Sequence, residues 1–250
     1  MRLIKQISGV TWKILFLLNF VLTLILLFPF FALFLSKKSW YKYCFSLMRI
    51  WANYLIYFDW IWIDKKQLAA LPKAPYIICA NHTSYLDIVL TYCVFGDYFV
   101  FMGKNELRKA PLFNIFFKDM NILVDRKSAT GSHRAFLRAG AEIDKGHCVA
   151  LFPEGTIAPK APQMLPFKNG AFKLALEKQV PIVPVTFINN WNLLEDKAFW
   201  KSRCRPGIAT IVIHPYIETK GMTEEDLLPL KSKVFDIINE PLKPFLNAGR

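Results

Sequence analysis

Apolar and polar positions follow two different patterns along the chain. From Ile14 to Ser36 the residues read ILFLLNFVLTLILLFPFFALFLS, with no charge between Lys13 and Lys37. As one helix, these roughly 23 residues at about 1.5 Å each would cover the ~30 Å hydrocarbon core of a bilayer. Pro29 interrupts the run in its second half, where it withholds a helical N–H. The next segment, WYKYCFSLMRIWANYLIYFDWIWI (40–63), is rich in Trp and Tyr, with Lys42, Arg49 and Asp59 spaced through it. That composition suits an interfacial helix or hairpin at headgroup depth. Arg2, Lys5 and Lys13 precede the apolar run and Lys37, Lys38 and Lys42 follow it, so the positive-inside rule gives no orientation. A hairpin inserted into one leaflet is the expectation, and a true span the alternative. A cleaved signal peptide is disfavoured, since the run is too long and no small-x-small site follows it.

Beyond Asp64 short β-rich runs alternate with helix-like segments. The expected strands are 76–80, 98–102, 121–125, 148–152, 182–187 and 208–214; the expected helices are 85–94, 112–118, 132–145, 170–178 and 224–239. Such alternation predicts an α/β fold with a mostly parallel central sheet covered by helices. Near-continuous apolar strands fit a sheet buried on both faces. The expected division is an N-terminal hydrophobic membrane-anchoring helical segment over 1–64 and one domain over 65–250, and 250 residues are enough for both.

In such sheets ligands gather outside the carboxyl ends of the strands. Three polar clusters follow expected strand ends: Asn81-His82, Asp125-Arg126, and Pro153-Glu154-Gly155-Thr156. Parallel strands would bring all three to one edge.

The net charge of +13 admits a nucleic acid or an anionic membrane as partner. The basic residues are scattered and no nucleic-acid motif accompanies them, so beside an apolar anchor the phospholipid surface is the expected partner and nucleic acid is not. Cys44, Cys79, Cys93, Cys148 and Cys204 form no CxxC and sit mostly in apolar runs. They read as reduced core residues of a domain facing the cytosol. The four histidines show no paired ligand spacing, so no metal is expected.

The stretch CANHTSYLDIV (79–89) admits two readings. Ser84-x-x-Asp87 fits a capping box, with His82 a turn residue. Alternatively Asp87 holds Nδ1–H of His82, leaving Nε2 as a general base, with helix-start N–H groups to receive an oxyanion. No G-x-S-x-G is present and Cys79 lies inside a strand, so a His–Asp pair here would activate a hydroxyl of the substrate. Arg126 could pair with Asp125 or hold a phosphate bidentately. Glu154 at a strand end would need a partner such as a substrate hydroxyl or a backbone N–H, and Lys160 and Lys168 add charge to its loop.

NHTSYLD, ILVDR, FPEGT and IVPV, in this order, resemble the motifs of the glycerolipid acyltransferase family typified by 1-acylglycerol-3-phosphate acyltransferases. The resemblance runs from about Tyr76 to Phe187 and agrees with the apolar N-terminus. It implies transfer of an acyl group from an acyl-CoA or acyl carrier protein thioester to the free hydroxyl of a lysophospholipid, with no other cofactor, at the cytoplasmic side of an inner membrane. It places His82 as base and Asp87 as its orienting partner. It puts Arg126 on the acceptor phosphate, Glu154, Gly155 and Thr156 along the acceptor site, and Val183 to Val185 along the acyl region.

Two positions depart from the family's pattern. Met120 stands where Gly is common, and Ile157 stands where Arg usually follows Phe-Pro-Glu-Gly-Thr. Losing a charged hydrogen bond there would cost on the order of 1.5–3 kcal/mol, with Lys160 or Lys168 as substitutes. The leading expectation is acylation of 1-acylglycerol-3-phosphate. The alternatives are an acceptor without a phosphate monoester, such as an amino-acid-containing lysolipid, and a non-catalytic lipid-binding protein.

Overall fold

The apolar run Ile77–Ala80 lies at the middle of the sheet with all four side chains buried. The structure is a computed structural model and describes residues 2–109, 111–125, 128–198, 200 and 202–246. Among these, seven strands are seen: β1 (Ile61–Gln67), β2 (Ile77–Ala80), β3 (Phe99–Lys104), β4 (Ile122–Val124), β5 (Cys148–Leu151), β6 (Ile182–Phe187) and β7 (Gly207–Ile213). They form one sheet in the order β1-β7-β6-β2-β5-β3-β4. Every neighbouring pair is parallel except β6 with β7.

Period-two alternation divides each central strand between two cores. Ile78, Ala80, Cys148 and Ala150 face one, and Ile77, Cys79, Val149 and Leu151 the other. The first is covered by helices α1 (Arg2–Leu35), α2 (Tyr41–Phe58) and α3 (Leu86–Val94), the second by α4 (Ala129–Asp144), α5 (Gly170–Lys178) and α7 (Leu227–Asn239). A short helix α6 (Asn190–Leu193) follows β6.

The six expected strands are present, 182–187 with the expected bounds and the other five with shifted ends, but β1 lies where an interfacial segment is expected. The boundary expected between 64 and 65 therefore falls inside a strand that pairs with β7 from Ile61 to Gln67. The expected helix over 112–118 is a 3-10 turn, Phe113–Phe117. The helix expected from 132 starts at Ala129, because the Ser128 hydroxyl accepts the Gly131 N–H at 3.1 Å.

The N-terminal helix continues through Pro29 to Leu35. At 34 residues and about 1.5 Å per residue it is roughly 51 Å long. By length and composition it is the one helix among the described residues apolar enough to cross a membrane. One side of it is not exposed, however. Phe16, Leu24 and Phe31 are buried in the same core as the sheet, and Phe31 meets Phe116 edge-on at 4.8 Å.

Near its start, Gly9 passes so close to the Cys204 carbonyl oxygen that a Cβ would lie 2.5 Å from it. The buried Lys13 ammonium donates to the Ser202 hydroxyl at 2.8 Å. Helix α2 is held to α1 by Trp51 Nε1 donating to Thr23 Oγ1 at 2.8 Å and Asn19 Nδ2 donating to Asp59 Oδ2 at 2.9 Å. Together the two helices present Leu18, Leu22, Ile25, Leu26, Ile50 and Phe58 outward.

Candidate active site

Strand β2 is followed by Asn81, whose side chain extends the sheet. Its Nδ2 donates to the Phe187 carbonyl at 3.0 Å and its Oδ1 accepts the Phe187 N–H at 2.8 Å. The chain leaving β2 thereby stays beside the chain leaving β6. His82 comes next, at the edge where the parallel strands β2, β5, β3 and β4 end.

Asp87, fully buried, reaches back across the turn to His82, with Oδ2 3.0 Å from the ring Nδ1. The same oxygen accepts the N–H groups of Thr83 at 2.6 Å and Ser84 at 2.9 Å. Ser84 Oγ accepts the Leu86 N–H at 3.1 Å and donates to the Leu194 carbonyl at 2.6 Å. Capping and the histidine contact thus occur together, with one carboxylate serving backbone and imidazole alike. In a neutral imidazole that donates Nδ1–H to the carboxylate, Nε2 is the acceptor nitrogen, and among the described residues Nε2 has no hydrogen-bond partner. The N–H groups of Thr83 and Ser84 are taken by Asp87 and that of Leu86 by Ser84.

The loop after β5 encloses His82. Its backbone N–H donates to Glu154 Oε1 at 2.8 Å, and its carbonyl accepts the Ala158 N–H at 2.9 Å. Glu154 Oε2 accepts the Leu165 N–H at 2.7 Å. Both carboxylate oxygens are therefore committed to backbone, so Glu154 clamps the loop to His82. Burial pushes its carboxyl up to about 7, against the two N–H groups that favour the charged form. The Phe152 ring lies on the imidazole.

Gly155 turns the loop at φ +80°, and the Lys168 ammonium lies 2.9 Å from where its Cβ would be. Thr156, Lys160 and Lys168 are exposed on this loop. Arg126 lies outside the described residues. Val183 and Val185 are fully buried inside β6. Burial pushes the Cys79 thiol up, so it is no nucleophile. Among the described residues no three His, Cys, Asp or Glu side chains are grouped to hold a metal.

Two site residues escape the sequence reading. One is Phe152. The other is Asn190, fully buried, whose Nδ2 donates to Asp87 Oδ1 at 2.7 Å. Among the described residues its own Oδ1 has no partner, a state that costs about 1–3 kcal/mol. A search for polar residues after strand ends would have found it, since Asn189-Asn190 follows β6 as His82 follows β2.

The arrangement sets a His–Asp pair at the carboxyl edge of the parallel part of the sheet. The family model described as Acyltransferase matches residues 62–188, and the chain belongs to that family. It is 30% identical over 165 residues to 1-acyl-sn-glycerol-3-phosphate acyltransferase alpha of Mus musculus, covering 65% of this chain and 57% of that protein. It is 33% identical over 176 residues to the 1-acyl-sn-glycerol-3-phosphate acyltransferase of Saccharomyces cerevisiae, covering 69% and 57%. The chain thus matches little more than half the length of either relative. The crystal structure of the 1-acyl-sn-glycerophosphate acyltransferase from Thermotoga maritima shares the fold, with TM-score 0.76, 20% identity, and 97% and 98% of the two chains covered.

Proposed function

We propose that the chain is a membrane-surface acyltransferase moving an acyl group from acyl-CoA or an acyl-carrier-protein thioester to the free hydroxyl of 1-acylglycerol-3-phosphate. The observation that carries this is His82 held through Nδ1 by buried Asp87, with Nε2 open. The acceptor oxygen attacks the thioester carbonyl carbon while Nε2 takes its proton. The tetrahedral intermediate then breaks its C–S bond, and the thiolate takes the proton back from the imidazolium. Arg126, Lys160 and Lys168 are the cations for the acceptor phosphate, and the Gly155–Thr156 turn shapes its approach.

Helix α1 supports an anchor on one leaflet of a membrane. Gln6 near its start bonds the Trp200 carbonyl and Phe31 near its end packs on Phe116. A helix in contact with one domain along its length fits a surface better than a span. The free cysteines suit a cytosolic face, as on an inner membrane.

The second reading, an acceptor without a phosphate monoester, rests on Ile157. Purified chain given mixed thioester donors and a panel of lysolipids, with products read by mass spectrometry, decides both. Phosphatidic acid as main product, lost in His82→Ala with the fold intact, is the expected result. Near-wild-type transfer by His82→Ala would overturn the mechanism, and weak use of the phosphate acceptor would select the second reading.

A further inference from the structure

We infer that Asn190 is a positioning residue for the base, fixing the Asp87 carboxylate so that Oδ2 stays on His82 Nδ1. This rests on the reading of His82 as general base.

The two Asp87 oxygens are served by different parts of the chain. Oδ2 takes three local contacts, from His82 Nδ1, Thr83 N and Ser84 N. Oδ1 takes Asn190 Nδ2 at 2.7 Å, beside a marginal 3.5 Å contact from Thr83 Oγ1. An ionised carboxylate only accepts, so the amide must turn its nitrogen toward Asp87. That orientation leaves the fully buried Asn190 Oδ1 without a partner among the described residues. The fold thus keeps an amide whose acceptor end is unmet and whose donor end reaches Asp87.

With both oxygens held, the carboxylate plane cannot rotate, and the His82 ring keeps one tautomer and one direction. The residue arrives from 103 positions away along the chain. It is brought in by the Asn81 pairing with Phe187 and secured where Ser84 bonds the Leu194 carbonyl.

The test uses the full chain in detergent, with ¹⁵N-labelled histidine and His82→Gln to assign the His82 resonances. Asn190→Ala removes the amide, and Asn190→Asp keeps its shape while replacing the donor by a carboxyl. Each is expected to lower kcat on the order of 10- to 100-fold, to change the acceptor KM by less than about twofold, and to turn the single His82 tautomer into a mixture.

A folded variant with wild-type kcat and wild-type His82 resonances would overturn the inference. Loss of fold in both variants would also overturn it, by placing Asn190 in the scaffold. If the wild-type chain transfers no acyl group, the functional reading fails, while the His82 resonances still report whether Asn190 orients the pair.

Discussion

The imidazole of His82 lies flat on the ring of Phe152, with centroids 4.0 Å apart and planes 9° from parallel. Phe152 also stacks on Phe101 of the neighbouring strand β3, at 6.0 Å and 22°. The ring plane of His82 is therefore set by Phe152 at the exit of β5 and by Phe101 within β3, and its azimuth by Asp87.

Loss of that stack should act on turnover. Ring stacking is worth about 0.5–1.5 kcal/mol, so Phe152→Ala should lower kcat roughly 2- to 10-fold, and Phe152→Tyr should restore most of it. Steady-state kinetics on purified protein provides the check, and unchanged kcat in Phe152→Ala would mean the stack has no catalytic part.

The clamp formed by Glu154 should appear in the pH dependence of stability. Its folded carboxyl titrates at about 7, against roughly 4.3 in an unfolded chain. The folded state therefore holds the proton more tightly. The corresponding stability is fully present below the unfolded value and is lost as pH rises through about 7, on the order of 3 kcal/mol in total. Glu154→Gln lacks this titration and cannot accept both backbone N–H groups. Wild type should exceed the variant most at low pH, with the gap narrowing between about pH 4 and 8. Denaturant unfolding at several pH values measures it, and a constant gap would contradict the assignment.

At Gly155 a side chain would meet two obstacles. The residue adopts φ +80° and Lys168 Nζ lies 2.9 Å from the Cβ position. Gly155→Ala should cost about 1–2 kcal/mol, lowering Tm by roughly 2–8 °C. It should also raise the acceptor KM by displacing Lys168. A Tm within a degree of wild type would show that the turn relaxes freely.

Lys168 shows no ion pair with any described residue. If it holds the acceptor phosphate in place of the arginine that Ile157 displaces, Lys168→Ala should raise KM for 1-acylglycerol-3-phosphate about tenfold or more. Ile157→Arg should recover part of the loss. Equal effects on a phosphate-free lysolipid would remove Lys168 from that role.

The buried strands were legible because their side chains face two cores, making each a short continuous apolar run. Strand β1 was not, because Ile61, Trp62 and Ile63 continue the aromatic texture of α2 and their partner, β7, begins only at Gly207. His82 and Asp87 lie five residues apart on one turn, so their meeting could be read from spacing. The clamp from Glu154 and the amide from Asn190 depend on loops after different strands arriving together, which spacing does not encode. Glu154 was recognised as a site residue, yet which of its possible partners it takes, backbone N–H groups, came only from the fold.

The described residues between 190 and 204 join two places of the fold. One end carries Asn190 on Asp87; the other seats α1 through Cys204 against Gly9 and Ser202 against Lys13, with Leu194 and Cys204 bridged between them. Cutting away α1 to obtain a water-soluble fragment would remove one wall of this segment, take Phe31 with it, and uncover Trp51 and Phe116. Such a fragment would be a poor stand-in for inhibitor screening, because its His82–Asp87 pair would rest on a loosened support. Detergent or lipid-disc preparations of the whole chain are the better target.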